Sequence, residues 1–119
     1  MLFRSGGHQS TIRGGSVRSA ILAGEFGLLD SNTSKSVLIG GDSNTGTSVS
    51  HNSGVIGGHH NWINNSNNSF IIGGNNLTLD GKNDTVMVSK LIIANLPSSD
   101  PGVPGALFQD GSGNVKVSL

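Results

Sequence analysis

Cysteine is absent from this 119-residue chain, which removes disulfides, thiolate zinc sites and cysteine nucleophiles together, without identifying a compartment. Charge is scarce as well: 12% of residues are charged, seven basic and seven acidic, and the formal net charge is zero. A chain without a basic excess has no electrostatic footprint for phosphate backbones or anionic lipid, so nucleic acid is not expected as a partner. Long apolar runs are also missing. No stretch approaches the roughly 20 residues of a membrane span, and no basic segment followed by an apolar one opens the chain. Membrane insertion and a stand-alone secreted protein are therefore not expected. Aromatic residues make up 4%, with Trp62 the single tryptophan. A conventional domain of this length buries a thick core of aromatic and branched residues, and with 34% hydrophobic residues this one cannot.

What the chain does contain is repetition. Gly, Ser, Asn and Thr fill 56 of the 119 positions, and since disordered chains of such polarity are usually highly charged, order by repetition is the better explanation. The phrase "SVLIGGDSN" from Ser36 returns as "SGVIGGHHN" from Ser53 and "SFIIGGNNL" from Ser69. Aligned on the glycine pairs, the repeats run through Gly6-Gly7, Ala23-Gly24, Gly40-Gly41, Gly57-Gly58 and Gly73-Gly74, with Ser89-Lys90 as a degenerate sixth, in steps of 17, 17, 17, 16 and 16 residues. A fixed period in this range marks a solenoid or stacked array.

Before each pair stands a short branched apolar run: Ala20-Ile21-Leu22, Val37-Leu38-Ile39, Val55-Ile56, Phe70-Ile71-Ile72 and Val86-Met87-Val88. Runs this short, bounded by Ser, Asn and Gly, read as strands because no 3.6-residue period survives in them. Five residues after the second glycine another apolar residue recurs, as Ile12, Leu29, Ile63 and Leu79, with Gly46 the exception and Val49 its expected substitute. The remainder of each repeat is turn chemistry. The glycine pairs supply positive φ at the coil corners, and a missing Cβ also lets chains approach one another around a shared axis.

The expectation is an all-β protein, a β-solenoid or β-roll of about five 16–17-residue coils over residues 2–90. At ~3.3 Å per residue such a coil has a perimeter of about 55 Å, thin for a single chain with a filled interior. Association of several copies would cover the remaining apolar faces and strand edges, and a homotrimer is the expected solution. From Lys90 the register changes. Residues 91–119 hold all three prolines and two strand-like pieces, "GALFQD" and "NVKVSL", around Gly111-Ser112-Gly113, which predict a β-hairpin. Its buried face is expected from Leu107 and Phe108 on one side and Val115 and Val117 on the other.

The residues that could carry chemistry are few. Glycoside hydrolysis needs facing carboxylates. Of Glu25, Asp30, Asp42, Asp80, Asp84, Asp100 and Asp110, only Glu25 and Asp42 fall at equivalent repeat positions, and with His59 and Asn75 in the same column they read more simply as a polar, solvent-facing row. Asp80 and Asp84 suit the turn "LDGKND". His59-His60 would give three chains three imidazole pairs for a metal, but they stand at a solvated loop position, and no metal and no cofactor is expected. An ice-binding threonine column is interrupted, since the equivalent positions read Thr11, Leu28, Thr45, Trp62 and Thr78. Trp62 lies beside an inward Ile63, so strand alternation turns it outward, and an exposed aromatic among Asn and His suits a sugar ring or a partner. If the protein contacts a host surface, the expected contact is His59, His60, Asn61 and Trp62.

The stretch "ANLPSSDPGVPGALFQDGSGNVKVSL" resembles the "LPTSDPGVAGxLWxDxGxLKVS" endings of tail fibre and other virion appendage proteins of bacteriophages. The repeats "SVLIGGDSN", "SGVIGGHHN" and "SFIIGGNNL" are similar to the "NSVAIG" repeats of trimeric autotransporter adhesin heads, which form left-handed parallel β-rolls, and to the "YSxIGGGxNN" repeats of phage and bacterial fibre proteins. The adhesin repeat is shorter than 16 or 17 residues, which favours the phage reading. These resemblances imply a structural, non-enzymatic part of a virion, a tail fibre or spike segment, with itself, other virion proteins and a host-surface glycan or protein as partners. Lysis releases such a part without an export signal. The alternatives are a polysaccharide-degrading tailspike fragment, a capsid-surface fibre and a bacterial adhesin head.

Overall fold

Parallel pairing at the repeat spacing organises the computed structural model, which describes residues 3–5 (backbone alone), 8–30, 32–48 and 50–119. Gly6, Gly7 and Val49, to which the repeat alignment gives roles, lie outside the described residues. The strands are β1 (Phe3–Ser5), β2 (Thr11–Ile12), β3 (Ala20–Leu22), β4 (Leu28–Leu29), β5 (Val37–Ile39), β6 (Thr45–Thr47), β7 (Gly54–Ile56), β8 (Trp62–Asn64), β9 (Phe70–Ile72), β10 (Thr78–Asp80), β11 (Val86–Met87), β12 (Leu107–Gln109) and β13 (Val115–Val117). No helix occurs among the described residues. The odd-numbered strands from β1 to β11 form one six-stranded parallel wall, and β2, β4, β6, β8 and β10 form a second of five. A third side is one residue wide, a column of parallel bridges joining His8, Glu25, Asp42, His59 and Asn75.

The chain is thus a β-solenoid, of about four turns. The expectation of about five coils covers residues 2–90, a range that includes the undescribed Gly6 and Gly7. Register carries each apolar position onto its repeat: Ile21 pairs with Leu38, Leu38 with Val55, and Val55 with Ile71 on one wall, as Ile63 pairs with Leu79 on the other. These side chains face inward, and the core is Ile21, Leu29, Leu38, Val55, Ile63, Ile71 and Leu79, all buried. A thin coil therefore does fill its interior within one chain. Gly46 takes its place in β6 between Leu29 and Ile63. Leu29 leans into the space, since a Cβ on Gly46 would come within 2.9 Å of Leu29 Cδ2.

The interior is narrow enough that its corners are lined by polar side chains, and these are partnered. Ser19, Ser36, Ser53 and Ser69 are buried in one column. The backbone N–H of Ser36 donates to Ser19 Oγ, that of Ser53 to Ser36 Oγ and that of Ser69 to Ser53 Oγ. In turn Ser36 Oγ donates to the Ser50 carbonyl at 2.7 Å and Ser53 Oγ to the Ser66 carbonyl at 2.7 Å. Each hydroxyl satisfies backbone groups that a two-residue-deep core cannot shield or pair by itself. No buried side-chain polar atom lacks a hydrogen bond among the described residues. The small residue that opens each repeated phrase is therefore an internal corner post, where the sequence suggested only turn chemistry.

β12 and β13 form the expected antiparallel hairpin, with Leu107 opposite Val117 and Gln109 opposite Val115. Its expected buried face is not what forms. Alternation places Leu107, Val115 and Val117 on one face and Phe108 on the other, and Leu107, Val115 and Val117 are exposed. The link folds back instead. Gln109 N–H donates to the Pro97 carbonyl, Gly105 N–H to the Ser118 carbonyl, and the Ser118 hydroxyl to Asp100 Oδ1 at 2.6 Å.

Candidate functional site

The glycine pairs, singled out as structural residues, position everything around them. Gly40, Gly57 and Gly73 adopt φ of 63°, 68° and 66°, and Gly24, Gly41, Gly58 and Gly74 adopt 91°, 77°, 81° and 85°. The left-handed region is open to glycine at little cost. The two members differ in their surroundings. Nothing lies within 4 Å of a Cβ built on Gly40, Gly57 or Gly73. A Cβ on Gly24 would stand 2.8 Å from the Gly41 carbonyl oxygen, and one on Gly58 would overlap Asn61 Nδ2. The second glycine permits a close approach to the next coil of the same chain.

The residue two places after each pair also has positive φ in the described coils, at Gln9, Phe26, Ser43, His60 and Asn76. That bend sends the next side chain inward, and here the expected contact patch needs correction. Asn61 is fully buried. Its Nδ2 donates to the carbonyls of Gly73 and Gly74, its Oδ1 accepts from Leu77 N–H, and its own N–H donates to Asn44 Oδ1. It clamps consecutive corners and is closed to any ligand.

His59 lies in the bridge column. Its Nε2 stands 3.2 Å from Asp42 Oδ2 on the preceding coil and its Nδ1 3.2 Å from Asn75 Oδ1 on the following one. Both ring nitrogens are thus engaged along the rod, and the ring stacks on His60 with centroids 3.8 Å apart. Glu25, in the same column, faces His8 at 3.3 Å. Glu25 and Asp42 do sit on adjacent rungs, each beside a histidine, in a half-exposed row. Among the described residues no three His, Asp or Glu side chains converge as metal ligands would.

Trp62 stands on the second wall, around the corner from His59. It is outward-facing and 41% exposed. Its indole crosses diagonally to β6, where Nε1–H donates to Thr47 Oγ1 at 2.8 Å. The Thr47 hydroxyl donates onward to Asn64 Oδ1 at 3.1 Å, and Asn64 Nδ2 donates to Asp80 Oδ1 at 2.8 Å. Thr47, Asn64 and Asp80 are register partners, so this row is a direct product of the repeat. Asp80 belongs to a strand and not to the turn expected for it, and neither Thr47 nor Asn64 stands out in the sequence until the 17- and 16-residue steps are laid side by side. The patch thus divides. His59 and His60 serve the bridge side, Asn61 the interior, and Trp62 joins Thr47, Asn64 and Asp80 on the open face of the five-stranded wall. Compared with known protein families, curated proteins and solved structures, the chain matches none.

Proposed function

We propose that the chain is a non-enzymatic structural rod of a bacteriophage virion appendage, a tail fibre or spike segment, working as a homotrimer that also meets the host surface. The observation that carries this reading is the outer face of the six-stranded wall. Leu22, Ile39, Ile56 and Ile72 are successive register partners pointing away from the core, and Ile39, Ile56 and Ile72 are 38%, 39% and 47% exposed. Val86 continues the apolar surface. Parallel sheets are ordinarily covered on both faces, and a continuous apolar stripe on one wall of a rod is the mark of an association surface. Because the stripe repeats along the rod, copies set side by side around one axis bury it along its length. The virion part of the reading rests on the C-terminal phrase that resembles appendage endings.

Light scattering of the purified chain tests the assembly: a trimer is expected, and a stable monomer overturns it. Ile39→Asp and Ile56→Asp each set unpaired carboxylates into the shared axis, so both variants should run as folded monomers with unchanged β circular dichroism. Labelling of phage particles with an antibody to the chain tests the location, and unlabelled particles reject it. Incubation with host capsule or lipopolysaccharide should release no oligosaccharide. Release by the wild type that a Glu25 or Asp42 substitution abolishes would replace the rod with a polysaccharide-degrading tailspike.

A further inference from the structure

The wall opposite in chemistry to the apolar stripe is the five-stranded one, and its open face carries one large aromatic flanked by short polar side chains, with Leu28 two strands away in the same column. Trp62 is on β8, between β6 and β10, and its nearest outward neighbours across the sheet are Thr45 and Thr78. Both are short, so neither overshadows the indole. The ring is already fixed by its hydrogen bond to Thr47, which removes most of the ordering cost that a mobile side chain would face on binding. From that bond a one-way chain of donors runs Trp62 to Thr47 to Asn64 to Asp80. Every intermediate group both accepts and donates, so the chain is self-consistent and its members polarise one another. It ends at a solvent-exposed carboxylate.

We infer that this face is a carbohydrate platform for a neutral, hexopyranose-containing glycan. A pyranose has a C–H-rich face and a hydroxyl-bearing edge, and the site offers one surface for each: the indole for the first and the Asp80 carboxylate, an acceptor for paired hydroxyls, for the second. One strand spacing across and two residues along separate Trp62 from Asp80, a span of about 8 Å, which one sugar ring with its hydroxyls, or two linked rings, can cover. The charge of the row decides the class. Asp80 stands at one end, and the Arg13 guanidinium at the other is paired with Asp30 at 2.9 Å, so within the row a carboxylated or sulfated sugar would meet a carboxylate and no unpaired guanidinium, the exposed Lys82 lying two residues past Asp80 and outside the row. A protein partner is disfavoured by the same surroundings, because Trp62 stands apart from the apolar stripe, which lies on the other wall. This inference deepens the host-contact part of the proposed function and is independent of the appendage that carries the chain.

The test uses the whole chain and a built-in reporter. With one tryptophan and no tyrosine in the sequence, intrinsic indole emission reports Trp62 alone. Titration with neutral hexasaccharides of glucose, mannose and galactose should give a saturable emission change with at least one series, and oligogalacturonate and oligosialic acid should give none. Asp80→Asn should weaken the responding interaction roughly tenfold or more, as loss of a charged hydrogen-bond acceptor does. Asp84→Asn, whose carboxylate accepts from Asn68 in a different column, should leave it unchanged. Trp62→Phe, followed by retention on the immobilised sugar, should bind at least tenfold more weakly while keeping the β circular dichroism. The platform is rejected if no neutral series saturates, if the acidic oligomers bind more tightly, or if Trp62→Phe binds undiminished. Light scattering on the same samples separates the two readings. A trimer blind to sugars removes the platform and leaves the rod, whereas a sugar-binding monomer removes the trimer and leaves the platform.

Discussion

At Gly40 a Cβ would point into open space, while one residue later, at Gly41, it would run into the Gly58 carbonyl oxygen and Asn44 Nδ2. Ala23 already occupies the first position in another coil at φ 55°, so an alanine there bears only the left-handed backbone cost. Gly40→Ala should therefore lower stability by about 1–2 kcal/mol. Gly41→Ala adds a backbone overlap that no rotamer relieves and should cost several kcal/mol or prevent folding. Urea denaturation of the two variants side by side checks the contrast, and equal losses would contradict it. The glycine pair itself is plain in the sequence, but its division of labour is not, because it depends on what the next coil places above each Cα. Asn61 shows the same boundary. Its composition-level neighbours are polar, so it reads as surface, yet the coil corner bends it inward to serve three backbone groups. Asn44, 17 residues earlier, does the same work. That pairing was the available signal, obscured by Gly27 and Leu77 in the same column.

The C-terminal element owes its shape to two aspartates. Asp110 Oδ1 accepts from the backbone N–H of Ser112 and of Asn114, which closes the Gly111-Ser112-Gly113 loop, and Asp100 Oδ1 accepts from the Ser118 hydroxyl and Gly102 N–H, which ties the link to β13. The Ser118 hydroxyl, then Gly102 N–H, hold the Asp100 carboxyl below the ordinary value of 3.8. Asp110 is lowered first by Asn114 N–H and then by the Asn114 side chain. A carboxylate whose folded value is depressed contributes stability above its unfolded value and loses it as pH falls through the folded one. Amide signals of residues 100–118 should therefore weaken selectively as pH drops below about 3.8, and Asp100→Asn with Asp110→Asn should remove that dependence. An acid transition in this element that the double variant retains would exclude the assignment. Both hairpin strands are legible from their spacing around the glycines. The face is not legible by adjacency, since Leu107 and Phe108 are neighbours in sequence and therefore opposed in space.

At the scale of the whole molecule, the period alone establishes the architecture: two strands per repeat, stacked in register, follow from apolar runs recurring at fixed steps. The third side shows in the sequence as a polar column and not as a strand, because a bridge one residue wide has no strand signature and His8, Glu25, Asp42, His59 and Asn75 are not of one residue type. The apolar stripe is half visible. The runs "VLI" and "FII" are apolar at every position, and only the observation that the middle residue alone points inward reveals that the last one faces outward. The stacking has a mechanical consequence. Each rung advances the rod by one strand spacing of about 4.8 Å but stores 16 or 17 residues of chain, so a single chain drawn out from its ends should lengthen in discrete steps of about 50 Å as rungs peel away in turn. Single-molecule pulling of the Ile39→Asp variant would display such steps as a sawtooth, and one abrupt extension of the entire coil would show that the rungs give way together. A rod wound this way is a spooled tether: stiff while closed, and able to lengthen roughly tenfold per rung before its ends part.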